Sequence, residues 1–280
     1  MEAIIDFVAG LNPAQKLLWI VGVMAVFWLL EGYYAFAKLE YKKWAHARTN
    51  LTLLAFVMLI NVGFGLATAG VFLWLAEAEF GLLHLVTWPT WLELIASIVV
   101  LDLIAQYGAH YALHKVPALW RLHITHHSDT HVDVTTGTRH HPLDFIFRET
   151  AALFAVVLLG MPLAFYLFYR VVTVFFTYWT HANIQLPPKL ERALGYVFVT
   201  PHMHKVHHHH TLPHTDTNFG NMLSVWDRLF GTYGQIDERE LVYGVDVADY
   251  TRSDELAYQL RSPWDKTVGP GLNPLRPGGE

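Results

Sequence analysis

The sequence predicts an all-α integral membrane protein with about four transmembrane helices and a cytoplasmic, histidine-rich helical cap. Two observations carry this prediction. Hydrophobic residues make up 53% of the 280 residues and charged residues only 15%, whereas an ordinary soluble domain carries roughly 25% charged residues. All 18 histidines except His46 and His84 lie between His110 and His214. This combination is not typical of a soluble enzyme, a coiled coil or a disordered chain.

Net charge and cysteine content exclude several kinds of site and partner. The formal net charge is −5 and no block of basic residues is present, which disfavours nucleic acid as a partner. The chain contains no cysteine. Disulfides, zinc sites built on thiolates and iron–sulfur clusters are therefore excluded.

Four apolar stretches are long enough to cross a bilayer, whose hydrocarbon core of about 30 Å takes about 20 helical residues. They are residues 17–37, 51–76, 94–113 and 151–180. The fourth is interrupted by Gly160-Met161-Pro162, and proline both removes a backbone donor and disturbs the preceding helical turn. We therefore expect this unit to be a helical hairpin that returns the chain to the side from which it entered, so that His181 lies on the same side as His123.

The distribution of basic residues predicts the orientation. The loop at 38–50 contains four Lys or Arg residues, whereas the loop at 77–90 contains Glu77 and Glu79 and no basic residue. Because loops rich in Lys and Arg stay in the cytoplasm, the first loop is predicted to be cytoplasmic and the second external. The third span then returns to the cytoplasm and brings the histidine block there.

These features divide the chain into four segments. We expect transmembrane helices 1–3 over 1–113, a cytoplasmic histidine segment over 114–150, the hairpin over 151–182, and a cytoplasmic cap with a C-terminal tail over 183–280.

The histidines follow helical spacing. Two of them are four residues apart, two triplets have the spacing i, i+3, i+4, and one stands alone at the end of the hairpin. These nine are His110, His114, His123, His126, His127, His181, His204, His207 and His208. Such spacings place side chains on one side of a helix, and neutral imidazole is a common ligand of transition metals. Nine ligands are too many for one tetrahedral zinc and suit two ions of higher coordination number.

Several segments between about Leu101 and Tyr233 resemble the fatty acid hydroxylase / sterol desaturase superfamily of integral-membrane, non-haem di-iron oxygenases. The segments are HYALH (110–114), LWRLHITHHSD (119–129), TGTRHHPLDF (136–145), WTHANIQLP (179–187), VTPHMHKVHHHH (199–210) and TDTNFGNMLSVWDRLFGTY (215–233). The histidines of the family motifs correspond to the same nine that the spacing selects.

The resemblance implies a cytoplasm-facing centre of two iron ions above a four-helix membrane stem, with a catalytic region at about 101–233. It implies a reaction in which O₂ and external electrons hydroxylate or desaturate a lipid-like membrane substrate. No flavin, haem or dinucleotide motif is visible in the sequence, so we expect a separate ferredoxin- or cytochrome-type electron donor. Zinc is expected as a substitute in purified protein, because it stands higher than iron in the divalent affinity series.

Other polar residues are candidates for further ligands or for groups that orient the ligands. They are His141, Asp129, Asp144, Asp216, Asn218 and Asp227. Asp102 and Arg170 are ionisable residues at membrane depth, which is a hypothesis of function by default. Asp102 is equally well explained by a structural hydrogen bond to a neighbouring helix, and Arg170 by an ion pair with Asp102 or Glu149. His46 and His84 are expected to be ordinary surface residues.

Two other functions stay open at this point. A carotenoid hydroxylase or ketolase uses a similar histidine framework, and a histidine-rich membrane protein can instead bind, store or transport metal. Transport predicts ligands distributed along a membrane pathway, whereas catalysis predicts ligands gathered at the ends of spans. The substrate, the choice between hydroxylation and desaturation, and the oligomeric state do not follow from the sequence.

Overall fold

A computed structural model describes residues 2–268. Within that range the chain forms twelve α-helices and no β-strand, which confirms the predicted all-α class. The helices are α1 (Glu2–Ala9), α2 (Pro13–Tyr33), α3 (Lys43–Ala78), α4 (Thr90–Leu101), α5 (Ala109–Lys115), α6 (Pro117–His127), α7 (Pro142–Leu159), α8 (Leu163–His181), α9 (Pro188–Leu194), α10 (Pro201–His207), α11 (Val225–Leu229) and α12 (Leu256–Arg261).

Four helical units in this range are long and apolar enough to cross a membrane, as predicted. They are Pro13–Tyr33, Lys43–Leu85, Thr90–Lys115 and Leu163–His181. Large apolar side chains point outward from the first two, for example Leu29 at 63% exposure and Leu66 at 77%. A soluble monomer rarely exposes apolar surface this extensively, so these faces are suited to lipid and the chain is a membrane protein.

The second span is longer than the sequence predicts. Helix α3 has 36 residues and is therefore about 54 Å long, which exceeds the hydrocarbon core. It begins eight residues before the predicted start, and His46, Thr49 and Asn50 in this extra part are buried. The helix continues beyond the apolar stretch because its polar first turns pack against the cap.

The third span is one rod interrupted by a π-helical segment. Residues Asp102–Gly108 join α4 to α5 with wider turns than an α-helix has. Such segments are rare and occur frequently at functional sites. Here the segment directly precedes His110.

The predicted hairpin is present and breaks where the sequence predicts. Helix α7 ends at Gly160, which has a positive φ of 67° and donates its N–H to Val156 and Val157. Pro162 then precedes the first turn of α8. The turn also lies against Gly81, where an added Cβ would come within 2.1 Å of the Gly160 nitrogen. Its arms have 18 and 19 residues and are therefore about 27–29 Å long, and of the two only α8 is among the helices long and apolar enough to cross a membrane within residues 2–268.

Residues 116–141 and 182–268 form a cap on the end of the bundle where α5 and α8 terminate, whereas α1 packs beside the hairpin turn at the other end. Helix α6 and the later loops share a small apolar core of Trp120, Ile124, Val245, Val247 and Tyr258. A 3₁₀ turn, Val134–Thr138, joins the cap to the bundle by packing against α3 and α8. The cap therefore closes over the helix ends that carry the histidines.

Candidate metal centre

Four separate helices deliver the nine predicted histidines to one region. The C-terminal end of the third span supplies two, α6 supplies three, the last residue of α8 supplies one, and α10 with its C-cap supplies three. None of the nine side chains is more than 9% exposed. The ends of two membrane helices and two cap helices thus converge on a common, dry interior.

Within that region the histidines form two groups. The five-histidine group contains His110, His114, His123, His127 and His207, and the four-histidine group contains His126, His181, His204 and His208. In each group the possible ligand atoms lie within 4.8 Å of one another.

Helical geometry explains how one short motif serves both groups. On α6 the i, i+4 pair His123 and His127 joins the five-histidine group, while His126 joins the other. The second triplet divides the opposite way, because its i, i+4 pair enters the four-histidine group and His207 enters the five-histidine group. Residues at i and i+4 share a face, whereas i+3 points to its other edge. Helices α6 and α10 therefore lie between the two groups and contribute to each.

Hydrogen bonds at the Nδ1 atoms determine the tautomer of several rings. Nδ1 lies 2.8 Å from the Phe219 carbonyl in His110, 2.7 Å from the Asp144 carboxylate in His123, 3.2 Å from the Arg139 carbonyl in His126 and 2.7 Å from the Thr177 carbonyl in His181. Carbonyl and carboxylate oxygens only accept, so each Nδ1 donates. In a neutral ring the Nε2 atom then carries a lone pair.

These lone pairs point at one another. The Nε2 atoms of His110 and His123 are 3.1 Å apart, and those of His126 and His181 are 3.2 Å apart. Two acceptors at that distance repel, because neither has a hydrogen to share. Nε2 of His207 and both ring nitrogens of His208 are buried and have no hydrogen-bond partner among the described residues. A cation within each group satisfies these nitrogens, so the donor set fits metal.

The charge state of the rings agrees with this fit. Burial lowers the pKa of His126, His127, His204, His207 and His208 well below its ordinary value. Burial also lowers the pKa of His123 to about 4, although the Asp144 carboxylate opposes the shift. Neutral imidazole is the form that binds metal.

Of the predicted carboxylates, Asp144 and Asp216 touch these histidines directly. Asp144 accepts from His123 and also from Arg148, at 2.8 Å. Asp216 lies 3.2 Å from Nδ1 of His114 and 2.6 Å from Lys115. A carboxylate on the second ring nitrogen is a common device for orienting a metal-binding imidazole.

Asp227 acts on a histidine indirectly, through a neighbouring loop. Its carboxylate accepts from the N–H groups of Phe219 and Gly220, at 2.8 and 2.9 Å. Phe219 in turn presents its carbonyl to His110. Asp227 therefore holds the loop that orients a histidine of the five-histidine group.

Three other predicted candidates lie elsewhere. Asp129 accepts from the backbone of His131 and from Thr136. Asn218 has a positive φ of 53° and bonds to the backbone of Met203 and Gly234, which is the role of a turn residue. His141 is the N-cap of α7 and is a member of neither group. Local motif context does not reveal which way these side chains turn.

Asp102 and Arg170 have separate partners. Asp102 accepts from the indole of Trp226, at 2.8 Å, and from the backbone of Leu223, as the structural interpretation predicts. Arg170 pairs with Glu149 across the hairpin. Of the two ion pairs considered for Arg170, the one with Glu149 is present.

Sequence reasoning missed a second buried polar region. We call it the anchoring network: Glu31, His46, Asn50, Asp129, Asp133 and Arg139, each at most 5% exposed. The surface prediction for His46 was wrong, since its ring is fully buried between Asp129 and Asp254. His46 occupies a polar turn before an apolar stretch, and that was the available signal.

A cavity of about 380 Å³ leads from the helix bundle to the histidines. His110 from the five-histidine group lines it, together with three members of the four-histidine group. Apolar side chains of α2, α3 and α8 also line it. The volume lies in the range typical of small-molecule sites.

Comparison with known proteins identifies a family and several relatives that resemble this chain. The fatty acid hydroxylase family model matches residues 94–232. Ornithine lipid hydroxylase OlsE from Rhizobium tropici is 33% identical over 146 residues, which cover 52% of this chain and 43% of that protein. The alkylglycerol monooxygenases of Homo sapiens and Caenorhabditis elegans are 29% and 26% identical, over 50% and 70% of this chain and 30% and 41% of their own lengths.

The chain thus matches less than half of the length of each of these relatives. No solved structure matches it. The matched region contains all nine histidines and agrees with the region of resemblance seen in the sequence. From the family match and the lipid hydroxylases among its relatives, we conclude that residues 94–232 of the chain form a region of the fatty acid hydroxylase family.

Proposed function

We propose that the protein is a membrane-bound di-iron oxygenase that hydroxylates a lipid. The observation that carries the proposal is the pairing of buried imidazole lone pairs, at 3.1 Å between His110 and His123 and 3.2 Å between His126 and His181. Hydroxylation is preferred to desaturation because the relatives are named as hydroxylases and monooxygenases.

In this proposal each histidine group holds one iron ion. One ion would be held by the five imidazoles of the first group and the other by the four imidazoles of the second. Bound iron supplies the activation of O₂ that an unactivated C–H bond demands. Zinc competes with iron for the same imidazole sites, since its affinity is higher.

The overall reaction determines which other reactants are required. One C–H bond and one O₂ molecule, with two electrons and two protons, give one C–OH group and one water. The chain contains no cysteine for an iron–sulfur cluster, so the electrons are assigned to a separate ferredoxin- or cytochrome-type protein. The basic loop at 38–50 supports a cytoplasmic location for the cap and for that encounter.

In this proposal the protein's own residues orient the imidazoles, exclude water and bind the lipid. Asp144 and the carbonyls of Phe219 and Thr177 hold their imidazoles in one orientation through Nδ1. The cap covers the groups, which keeps water from them. The cavity presents the lipid to histidines of both groups, in agreement with lateral entry from the bilayer.

Metal analysis of the purified protein tests the proposal. We expect close to two irons per chain, and oxidation of a reductant that depends on O₂ and yields a hydroxylated lipid. One zinc, or no metal, with no redox response contradicts it. Lipid analysis of host membranes with the active protein and with a His126→Ala variant then identifies the substrate.

Metal transport is less well supported. A transport pathway needs ligands at several depths of the membrane, whereas all nine histidines gather at one end of the helices.

A further inference from the structure

The cavity beside the histidines is lined by an arginine whose guanidinium makes only one hydrogen bond within residues 2–268. Arg148, on α7, lines this cavity together with His110 and His126. Its Nε donates to Asp144 at 2.8 Å. Within residues 2–268 this is the one hydrogen bond that its guanidinium makes. The two terminal nitrogens therefore remain available as charged donors.

This arginine is closely connected to the five-histidine group. One oxygen of Asp144 accepts from Arg148 and the other accepts from Nδ1 of His123, at 2.7 Å. Asp144 is fully buried and the Arg148 side chain is 17% exposed. Two hydrogen bonds thus separate the arginine from a candidate metal ligand, and a ligand atom bound to Arg148 lies beside the histidines.

The cavity contains two arginines, and each has one carboxylate partner. Arg170 and Glu149 also line it, and they form an ion pair with each other across the hairpin, whereas Arg148 pairs with Asp144. Because Asp144 also contacts His123, Arg148 is the arginine that places a bound ligand beside the histidine groups. Guanidinium donates and cannot accept, so its ligand group must carry an acceptor oxygen such as a carbonyl, hydroxyl, ether, carboxylate or phosphate.

The rest of the cavity wall suits a hydrocarbon chain. Its apolar lining comes from spans that face the bilayer, namely from Ile20, Leu54, Val57, Met58, Val62 and Val174. The polar and apolar parts of the cavity therefore match the two ends of an amphipathic lipid.

Resting on the proposed function, we propose that Arg148 binds the oxygen-bearing polar end of the lipid. The substrate class is an amphipathic lipid with an acceptor oxygen at the head of its chain, and Arg148 determines position specificity. The oxidised carbon lies within a few bonds of that oxygen, and the methyl end extends between the spans.

A chain-length series tests the position. Wild-type enzyme is given saturated 1-alkylglycerols whose chains differ by steps of two carbons, and the new hydroxyl is located by mass spectrometry. We expect the same carbon in every member when counted from the polar end. A position that stays constant when counted from the methyl end overturns the inference while leaving the oxygenase proposal intact.

A binding measurement needs no turnover. Detergent-solubilised wild type and Arg148→Gln are loaded with one alkylglycerol, and the retained lipid is quantified. A lost hydrogen bond from a charged donor corresponds to roughly a tenfold loss of affinity. Arg252→Gln is the matched control, since Arg252 is a cap residue with 43% side-chain exposure that pairs with Glu255.

Metal content and thermal unfolding of the same variants identify a merely structural role. We expect Arg148→Gln to lose lipid while keeping its metal, and Arg148→Lys to recover part of the lipid binding because it restores the charge. Equal lipid retention in wild type, Arg148→Gln and Arg252→Gln overturns the inference. Failure of the wild type to bind iron overturns the proposed function instead, and the lipid measurement still decides the role of Arg148.

Discussion

The two histidine groups and the anchoring network are both buried and polar, yet their hydrogen bonding is opposite. In the network, Arg139 donates to Thr125, Asn50 and Ser128, and Glu31 accepts from Lys43 and two backbone N–H groups. In the histidine groups, acceptors face acceptors. Burying a polar group without a partner is costly.

This difference in hydrogen bonding distinguishes a structural site from a site that needs a ligand. The network is complete within the protein, and its carboxylate Asp129 has a pKa below its ordinary value because His46 and Arg139 outweigh the effect of burial. The histidine groups are incomplete without cations. Changes in the first region should therefore affect stability, and changes in the second should affect metal content.

The largest effect is expected from removing a histidine. His207→Ala or His126→Ala removes one imidazole from the five-histidine or the four-histidine group, and we expect activity to be abolished and metal to fall from about two ions per chain to at most one. Elemental analysis of purified protein measures this. His84→Ala, at an exposed position, should retain full metal, and equal metal in all three variants refutes the assignment.

The next effect is expected in the anchoring network. Arg139→Ala removes the buried guanidinium that donates to Thr125, Asn50 and Ser128, and leaving these buried acceptors without their donor costs about 3–5 kcal/mol in all. Thermal unfolding in detergent should detect this loss. Arg239→Ala is the matched control, because Arg239 is 90% exposed beside Asp237 and exposed pairs contribute about 0–1 kcal/mol. Similar losses in both variants would mean that the network does not stabilise the fold.

Asp144 contacts the five-histidine group, so its loss should affect metal binding more than stability. Asp144→Asn keeps the size of the side chain but weakens the acceptor for Nδ1 of His123. Loss of such an orienting group lowers metal affinity by roughly 10–100-fold, which competition with a chelator measures. Unchanged metal affinity together with a lower unfolding temperature would show that Asp144 stabilises the fold and does not orient His123 for metal.

The smallest effect is expected at Asp102. Asp102→Asn retains an oxygen that accepts from Trp226 and Leu223, so we expect a stability loss of about 1 kcal/mol and unchanged metal content. A large loss of metal in this variant would show that Asp102 acts on the metal centre through the loop from Phe219 to Leu223, which contacts His110.

Much of the candidate site could be predicted from local patterns. The i, i+3, i+4 spacing of His123, His126 and His127 selected residues that do converge, because helix geometry depends on neighbours in sequence. The break at Gly160 was predictable for the same reason, since proline and glycine act on the backbone locally. The length of an apolar stretch likewise identified the spans.

Other features could not be predicted, because they depend on contacts between distant segments. His46 is buried by Asp254, 208 residues away, and no local pattern signals that contact. Asp129 and Asp144 look equivalent in sequence, yet Asp129 turns toward the network and Asp144 toward His123. The direction of a side chain at a helix end depends on the element that packs there.

The sequence alone thus determined the helical class, the four spans, the hairpin and the nine histidines, since each follows from local periodicity or from the thickness of a bilayer. Only the tertiary structure decided how the nine divide into groups of five and four, which ring nitrogens carry lone pairs, and which carboxylates orient them. Those properties arise where separate helices meet, and the packing of helix ends determines the direction of each ring.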